Sequence, residues 1–329
     1  MASRCLCLRV LPCIVLTAAA CSSDGGEPAA PSGTGGTGGT SSVGDADLPY
    51  APCSAETSVE GFSIEFAVDH TTLQGKVFDA VDPTHVPTEL ASEGACRLLS
   101  PPTLLCDPGC ATSTEVCAPG NQCIPVPVGH GVGTVSVSGL ARAVEMTPNA
   151  ATASYRPPPP ALPHPGFQPG ADLRLSATGG DYSPFELRGW GIAVLEAPPE
   201  PITVTAGQPA AVRWSPPAGP SPTRLHVQLD INNHGSTNTS IECEFEDTGV
   251  GAIPASLIDG LIARGTSGFP SVILTRRTAS STSIELGCVQ FLVTSTLKLD
   301  AALTGLTSCD IDAECPEGQT CKPIERFCE

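Results

Sequence analysis

The chain is poor in aromatic residues and in lysine. Phe, Trp and Tyr make up only 4% of it, with two Trp and three Tyr, so little material is available for an exposed aromatic platform. Lysine occurs only at Lys76, Lys298 and Lys322, and the formal charge is −18. Charge of that sign argues against nucleic acid and against anionic membrane surfaces as partners. No apolar run reaches the ~20 residues that a membrane-spanning helix needs. The motifs of common catalysts are missing as well. There is no HExxH pair, and His70, His85, His130, His164, His226 and His234 are scattered. No G-x-S-x-G elbow occurs; Gly265-Thr266-Ser267-Gly268 lacks its spacing. No Gly-rich loop opens a helix to cradle phosphate. No CxxC pair exists, and no cysteine cluster has His at finger-like spacing, which sets zinc aside. No catalytic, cofactor-binding or metal-ligating residue is assigned on these grounds. A triad can still assemble from distant residues, so a secreted hydrolase with dispersed catalytic residues stays open as an alternative.

What is present is cysteine, glycine and proline: 16 Cys, 34 Gly and 34 Pro in 329 residues. The chain is loop-rich, but its 40% hydrophobic content is enough for a core, and its length allows one large or two smaller domains. Residues 1–20 carry Arg4 and Arg9, then an apolar stretch around Leu11, Ile14, Val15 and Leu16, then Ala18-Ala19-Ala20. This is the three-part layout of a secretory signal peptide. Cys21 follows directly, and the arrangement resembles the lipobox of bacterial lipoproteins. The resemblance implies cleavage before Cys21, acylation of Cys21 as the new N-terminus, and firm membrane attachment through several acyl chains. Ser22 after that cysteine leans toward the outer membrane. Simple secretion is the alternative, since the three alanines also fit an ordinary cleavage site. Cysteine counting favours the anchor. Cys5, Cys7 and Cys13 leave with the signal, and acylation of Cys21 leaves an even twelve to pair. Twelve cysteines imply an oxidising compartment. Residues 21–48 are a Gly/Ser/Thr-rich tract with almost no apolar content and read as a flexible tether.

Folded sequence begins near Tyr50. In VEGFSIEFAV, residues 59–68, Phe62, Ile64 and Phe66 alternate as in a strand, and a second strand is expected near Lys76–Val81. Further short strands follow in GVGTVSVSG, DLRLSATG, PFELRGWGIAVLEA, ITVTAG and AAVRWS, each bounded by Gly or Pro. PPPPALPHP at 157–165 reads as polyproline II. Residues 225–246 form the clearest unit. LHVQLDI and IECEFE alternate around the turn-rich NNHGSTNTS. One register pairs Ile231 with Ile241, Leu229 with Cys243 and Val227 with Phe245, placing all apolar groups on one face. IPASLIDGLIARG at 253–265 is the one helix candidate, with Leu257, Ile258, Leu261 and Ile262 at helical spacing and Gly265 near the C-cap. Strands near Val272–Thr278 and Ser283–Leu299 close the region.

The remaining cysteines fall into two clusters and four singles. Cys106, Cys110, Cys117 and Cys123 are echoed by Cys309, Cys315, Cys321 and Cys328, and both clusters contain Cys-x-Pro followed shortly by Cys. They read as copies of one small module, similar to the short cysteine-rich repeats of extracellular proteins, and each set of four permits three connectivities. Cys243 and Cys288 both lie in strands and are expected to pair, which leaves Cys53 with Cys96.

Three constellations merit weighing as chemistry. In the register above, Asp230 faces Glu242 and His226 faces Glu246, an acidic face that a cation would relieve but that solvent also screens. Asp230-Ile231-Asn232-Asn233-His234-Gly235 nearly opens a calcium loop, yet departs at His234 and at Ile241, where a bidentate Glu is needed. Asp310, Asp312 and Glu314 alternate in the last module, with no Gly at the turn. Each reads first as ordinary loop or surface chemistry. Trp190, after Arg188-Gly189, is a candidate ligand stacker or a packed turn residue, while Trp214 alternates with Val212 as a core residue.

The expected architecture is all-β: an immunoglobulin-like β-sandwich over 128–300, with one short helix. Strands from 49–105 join it, and disulfide-rich modules occupy 106–127 and 301–329. The expected function is a non-enzymatic, membrane-anchored cell-envelope lipoprotein. Its stapled β-domain would contact an envelope or extracellular protein or a glycan, without cofactor and without nucleic acid. A calcium-dependent adhesion module stands as a further alternative.

Overall fold

The computed structural model describes residues 50–102, 105–231 and 239–329. The signal and tether readings, with Cys21, lie outside these residues, as do Asn232, Asn233, His234 and Gly235. In chain order the first strands are β1 (Ser58–Phe66), β2 (Thr71–Phe78), β3 (Thr88–Glu93), β4 (Cys96–Ser100), β5 (Glu115–Ala118) and β6 (Gln122–Pro125). Next come β7 (Gly129–His130), β8 (Val135–Ser138), β9 (Val144–Met146), β10 (Asp172–Ala177), β11 (Phe185–Trp190) and β12 (Ile202–Val204). The last are β13 (Ala210–Arg213), β14 (Arg224–Asp230), β15 (Ser240–Glu246), β16 (Val250–Ile253), β17 (Ser271–Ile284) and β18 (Gly287–Leu303). One helix, α1 (Ala255–Ile262), sits between β16 and β17. The all-β expectation holds.

The β17–β18 hairpin is the spine. Its strands, 14 and 17 residues long, run for about 50 Å at ~3.4 Å per residue. The sequence suggested strands near Val272–Thr278 and Ser283–Leu299; the turn instead falls at Glu285-Leu286, and both strands are longer. A ten-stranded sheet grows from this spine in the order β3-β4-β15-β14-β17-β18-β1-β2-β7, and β12 also pairs with β18. The outer edge of β18 thus serves two parallel partners: β1 along Cys288–Thr294 and β12 along Ala301–Leu303.

Two smaller assemblies cover one face of this sheet, each over its own apolar core. Over one half lies the four-stranded sheet β11-β10-β8-β9. Its core is rich in aromatics: Phe62, Phe66, Tyr155, Phe167 and Phe291 belong to it, with Phe62 edge-on to Tyr155 and Phe66 against Phe167. The Tyr155 hydroxyl accepts from the Val132 amide at 2.7 Å and donates to the Gly133 carbonyl at 3.0 Å, so its burial costs no hydrogen bond. Over the other half lie the β13–β16 pair and α1, above an aliphatic core that includes Leu225, Val227, Leu229, Ile241, Leu257 and Leu274. The helix is eight residues long and buries Leu257, Ile258 and Leu261, the spacing read from the sequence. Gly265 lies two residues beyond the Ala263 C-cap at φ +106°, where its amide donates to the Ile262 carbonyl.

A polar layer separates the two cores. Arg276 and Ser295 lie directly opposite on β17 and β18, at positions that face inward. Arg276 is 2% exposed, and its partner Asp247 is 3% exposed. The guanidinium donates to Asp247 from Nε at 2.6 Å and Nη2 at 3.2 Å. It also donates to the carbonyls of Ala193, Val194 and Ser215. Asp247 accepts further from Trp214 Nε1 at 2.6 Å and Thr223 Oγ1 at 2.7 Å. The segment that crosses from one covering assembly to the other is therefore pinned by a saturated buried ion pair.

Two expectations need correction. The β14–β15 hairpin pairs Leu229 with Ile241, Val227 with Cys243 and Leu225 with Phe245, two residues away from the register read above. Alternation has period 2, so a two-residue shift leaves the apolar face intact. The polar face decides. The shift moves Asp230 from opposite Glu242 to opposite Ser240, sets Arg224 against Glu246 and Gln228 against Glu242, and removes a like-charge opposition. The second correction concerns the single cysteines. Cys96 pairs with Cys243 and Cys53 with Cys288, not Cys243 with Cys288 and Cys53 with Cys96. β4 hydrogen-bonds to β15 with Cys96 directly opposite Cys243, while Cys53 precedes β1, the parallel neighbour of β18.

The two modules share one connectivity, first to third and second to fourth: Cys106–Cys117 with Cys110–Cys123, and Cys309–Cys321 with Cys315–Cys328. In both, the third and fourth cysteines face each other across an antiparallel pairing. The last module docks through Gly268, whose amide donates to the Glu325 carbonyl. A Cβ on Gly268 would lie 1.8 Å from the Arg326 carbonyl oxygen, so only glycine allows this approach.

Candidate functional site

The open face of the ten-stranded sheet carries a concave cavity of about 670 Å³. Strands β15, β14, β17 and β18 form its floor with Glu242, Glu244, His226, Arg277 and Gln290; Arg97 and Leu99 of β4 close one side. The segment Tyr50–Glu56 and the loop carrying Asp82 and His85 form walls. The first wall is fixed by the Cys53–Cys288 disulfide and by the Ala51 amide, which donates to the Ala279 carbonyl.

Sheet alternation explains the floor. Residues that alternate with the buried Val227, Cys243 and Arg276 must point to the opposite face, and these are His226, Glu242, Glu244 and Arg277. Glu60 reaches the cavity through a different device. A bulge in β1 places it at φ +69°, and Gly61 beside it passes so close to β18 that a Cβ would sit 2.1 Å from the Gln290 carbonyl oxygen. Glu60 Oε1 meets His85 Nδ1 at 3.0 Å. These two residues also line a second cavity, of about 340 Å³, with Lys76 and Arg156.

The charges on the floor are interlocked. His226 Nε2 lies 3.3 Å from Glu242 Oε2, and Arg97 lies 3.8 Å from the same oxygen. The hydrogen bond to His226 holds the Glu242 carboxyl below the usual carboxylate range against its burial, and the charges of His226, Arg97 and Arg277 act in the same direction. Arg277 donates to Glu244 Oε2, and its guanidinium carbon lies 5.8 Å from the Tyr50 ring centroid. Burial pushes the Tyr50 hydroxyl well above the usual phenol range, against the pull of Arg277. Tyr50, Glu244 and Arg277 form one buried cluster within reach of one another, although Tyr50 OH, Glu244 Oε1 and Arg277 Nε fall short of ideal hydrogen-bond geometry.

The structure disperses the other sequence candidates. Asp310, Asp312 and Glu314 serve the fold of their module: Asp310 pairs with Arg326 at 2.6 Å, Asp312 accepts from the Cys321 amide, and Glu314 accepts from the Asp310 and Ile311 amides. Among the described residues, the groups of three ligand types close enough for one metal ion are all cysteines already held in disulfides. Trp214 is buried beside Asp247, as its alternation suggested, and Trp190 is half-buried at the end of β11. None of the described histidines has a serine hydroxyl within hydrogen-bond distance.

Sequence reasoning reached His226, Glu242 and Glu244 but missed Tyr50, Arg97, Arg277 and Glu60. One signal was available: Arg276-Arg277 in an apolar strand must place charge on both faces of the sheet.

Fold and cavity together define a disulfide-stapled all-β domain with a polar groove on the open face of its main sheet. Compared with known proteins, the chain matches no family model and no curated sequence.

Proposed function

We propose that this chain is a cell-envelope lipoprotein, anchored through acylated Cys21, whose stapled β-domain presents the open-face groove for non-catalytic binding or structural contact. The observation that carries the proposal is the closure of the cysteine account. Six disulfides join all twelve cysteines from Cys53 to Cys328 to one another, so none is available to Cys21. After removal of a signal at residue 20, Cys21 would be the lone odd thiol of an exported chain, the position that acylation uses. Six disulfides also suit the oxidising side of a membrane. The residue after the anchor, Ser22, favours the outer membrane. The test compares the wild-type chain with Cys21→Ala in detergent phase separation. The wild-type protein partitions into detergent and the variant stays in the aqueous phase; a variant that still enters the detergent phase overturns the anchor.

A further inference from the structure

We infer that Cys123 of the first cysteine-rich module is a thiol-exchange site: a low-molecular-weight thiol joined to it as a mixed disulfide opens the module to a second disulfide pairing. The sulfur atoms come first. The Sγ atoms of Cys106, Cys110 and Cys123 lie within 4.8 Å of one another, although Cys106 is bonded to Cys117 and Cys110 to Cys123. The two bridges of the module therefore meet. They meet at the Cys106 end of the first bridge, since Cys117 falls outside that set. Exposure supplies the entry. Cys123 is exposed and Cys110 half-buried, whereas Cys106 is 7% and Cys117 3% exposed. A thiolate in solution reaches the Cys110–Cys123 bridge at the Cys123 sulfur, and not the buried bridge behind it.

The exchange balances without an oxidant or a reductant. An external thiolate attacks Cys123 Sγ, forms a mixed disulfide there and releases Cys110 as thiolate. Cys110 attacks the neighbouring Cys106 Sγ, the Cys106–Cys110 bond forms, and Cys117 leaves as thiolate. Cys117 attacks Cys123 Sγ, closes Cys117–Cys123 and expels the external thiol unchanged. Two disulfides are present before and after, and the thiol is a catalyst. The backbone already suits the product. Cys117 and Cys123 are direct partners on β5 and β6. Opposite residues of an antiparallel pair have Cα atoms about 4.5–5.5 Å apart, within the ~4.4–6.8 Å that a disulfide spans. Asp107 and Asn121 exchange two hydrogen bonds, of 2.8 and 2.6 Å, which keep the Cys106 segment against the β5–β6 turn whichever sulfurs are joined. The last module has a similar trio in Cys309, Cys315 and Cys321, but none of its four cysteines is exposed. It has the meeting bridges without the entry, and so serves as an internal control.

The probe is cysteamine, added below the protein concentration to the chain from residue 21 carrying Cys21→Ala, so that no other free thiol is present. After incubation without oxygen at mildly alkaline pH and an acid quench, the bridges are mapped by mass spectrometry of unreduced peptides. Cys106–Cys110 and Cys117–Cys123 are expected beside the native bridges, with no gain in free thiol. The trapped adduct sits on Cys123, and the last module keeps its pairing over the same time. Cys110→Ala/Cys123→Ala removes the entry bridge and abolishes exchange at Cys106–Cys117. The inference is overturned if the first module keeps only its native pairing, or if the adduct forms first on Cys106 or Cys117. It is equally overturned if the last module exchanges at the same rate, or if Cys106–Cys117 opens as fast in the double variant as without it. Should the double variant fail to fold, the adduct position and the rate of the last module decide alone. The anchor is absent from this experiment and is read by detergent partitioning, so either reading can fail while the other stands.

Discussion

Arg276 and Arg277 are consecutive residues of one strand, yet they lie on opposite faces of the sheet. Arg276 points inward, is 2% exposed, and has every donor matched by Asp247 and three backbone carbonyls. Arg277 points to the open face, pairs with Glu244, and leaves its Nε short of ideal hydrogen-bond geometry. On the inner face the charge is a structural pin whose hydrogen bonds are complete. On the outer face it belongs to a half-exposed cluster with Glu244 and Tyr50, whose hydrogen-bond geometry is looser. Saturation marks a charge fixed by the fold, and the looser pairing on the open face marks one held at its margin.

The strongest way to break this contrast is at the inner pair. Asp247→Ala leaves a guanidinium buried and uncompensated, and a loss of about 3–5 kcal/mol is expected in oxidised urea unfolding. The double variant Arg276→Met/Asp247→Leu recovers only part of it, because the carbonyls of Ala193, Val194 and Ser215 lose their donor. Full recovery would show that those carbonyls do not matter. On the outer face, Glu244→Ala costs only about 1 kcal/mol, since the pair it breaks is partly in contact with water. Equal losses at the two sites would dissolve the distinction. The smallest effect is in pH. Glu242 has a folded-state value below its ordinary 4.5, so it contributes stability in full above that value and loses it as pH falls through the folded value. Glu242→Gln is expected to lower stability modestly at neutral pH and to converge on the wild type as pH falls well below about 4.5, so its stability curve is flatter across that range.

How much of this was legible before folding depends on the range of the interaction. Alternation in LHVQLDI and IECEFE identified the strands and their faces, because side-chain direction is local. It was blind to a shift of two residues, which only the charges of Arg224, Asp230 and Glu246 resolve. The helix was legible from Leu257, Ile258 and Leu261, and the modules from their repeated cysteines. The pairing of the single cysteines was not, because it follows from which strands become neighbours, and spacing does not encode that. The groove was hidden for the same reason. Its walls and floor come from Tyr50, Asp82, Arg97, Glu242 and Arg277, on segments that share a surface only after the sheet has ordered them.

That sheet order also bears on how the protein is made. Cys53–Cys288 spans 235 residues and encloses Cys96–Cys243, which spans 147, whereas the module bridges span 11 to 13. On the proposed export route, a chain emerging from its N-terminus would show Cys53 and Cys96 to the oxidant long before either partner has been synthesised. An oxidation machinery that joined cysteines in order of appearance would lock these two together, with β1 and β4 tied across four intervening strands. Pairing in order of appearance would also mispair the modules, which join first to third and second to fourth, so all six native bridges call for delayed oxidation or thiol–disulfide reshuffling. In the modules that delay spans about a dozen residues, and in the main domain well over a hundred.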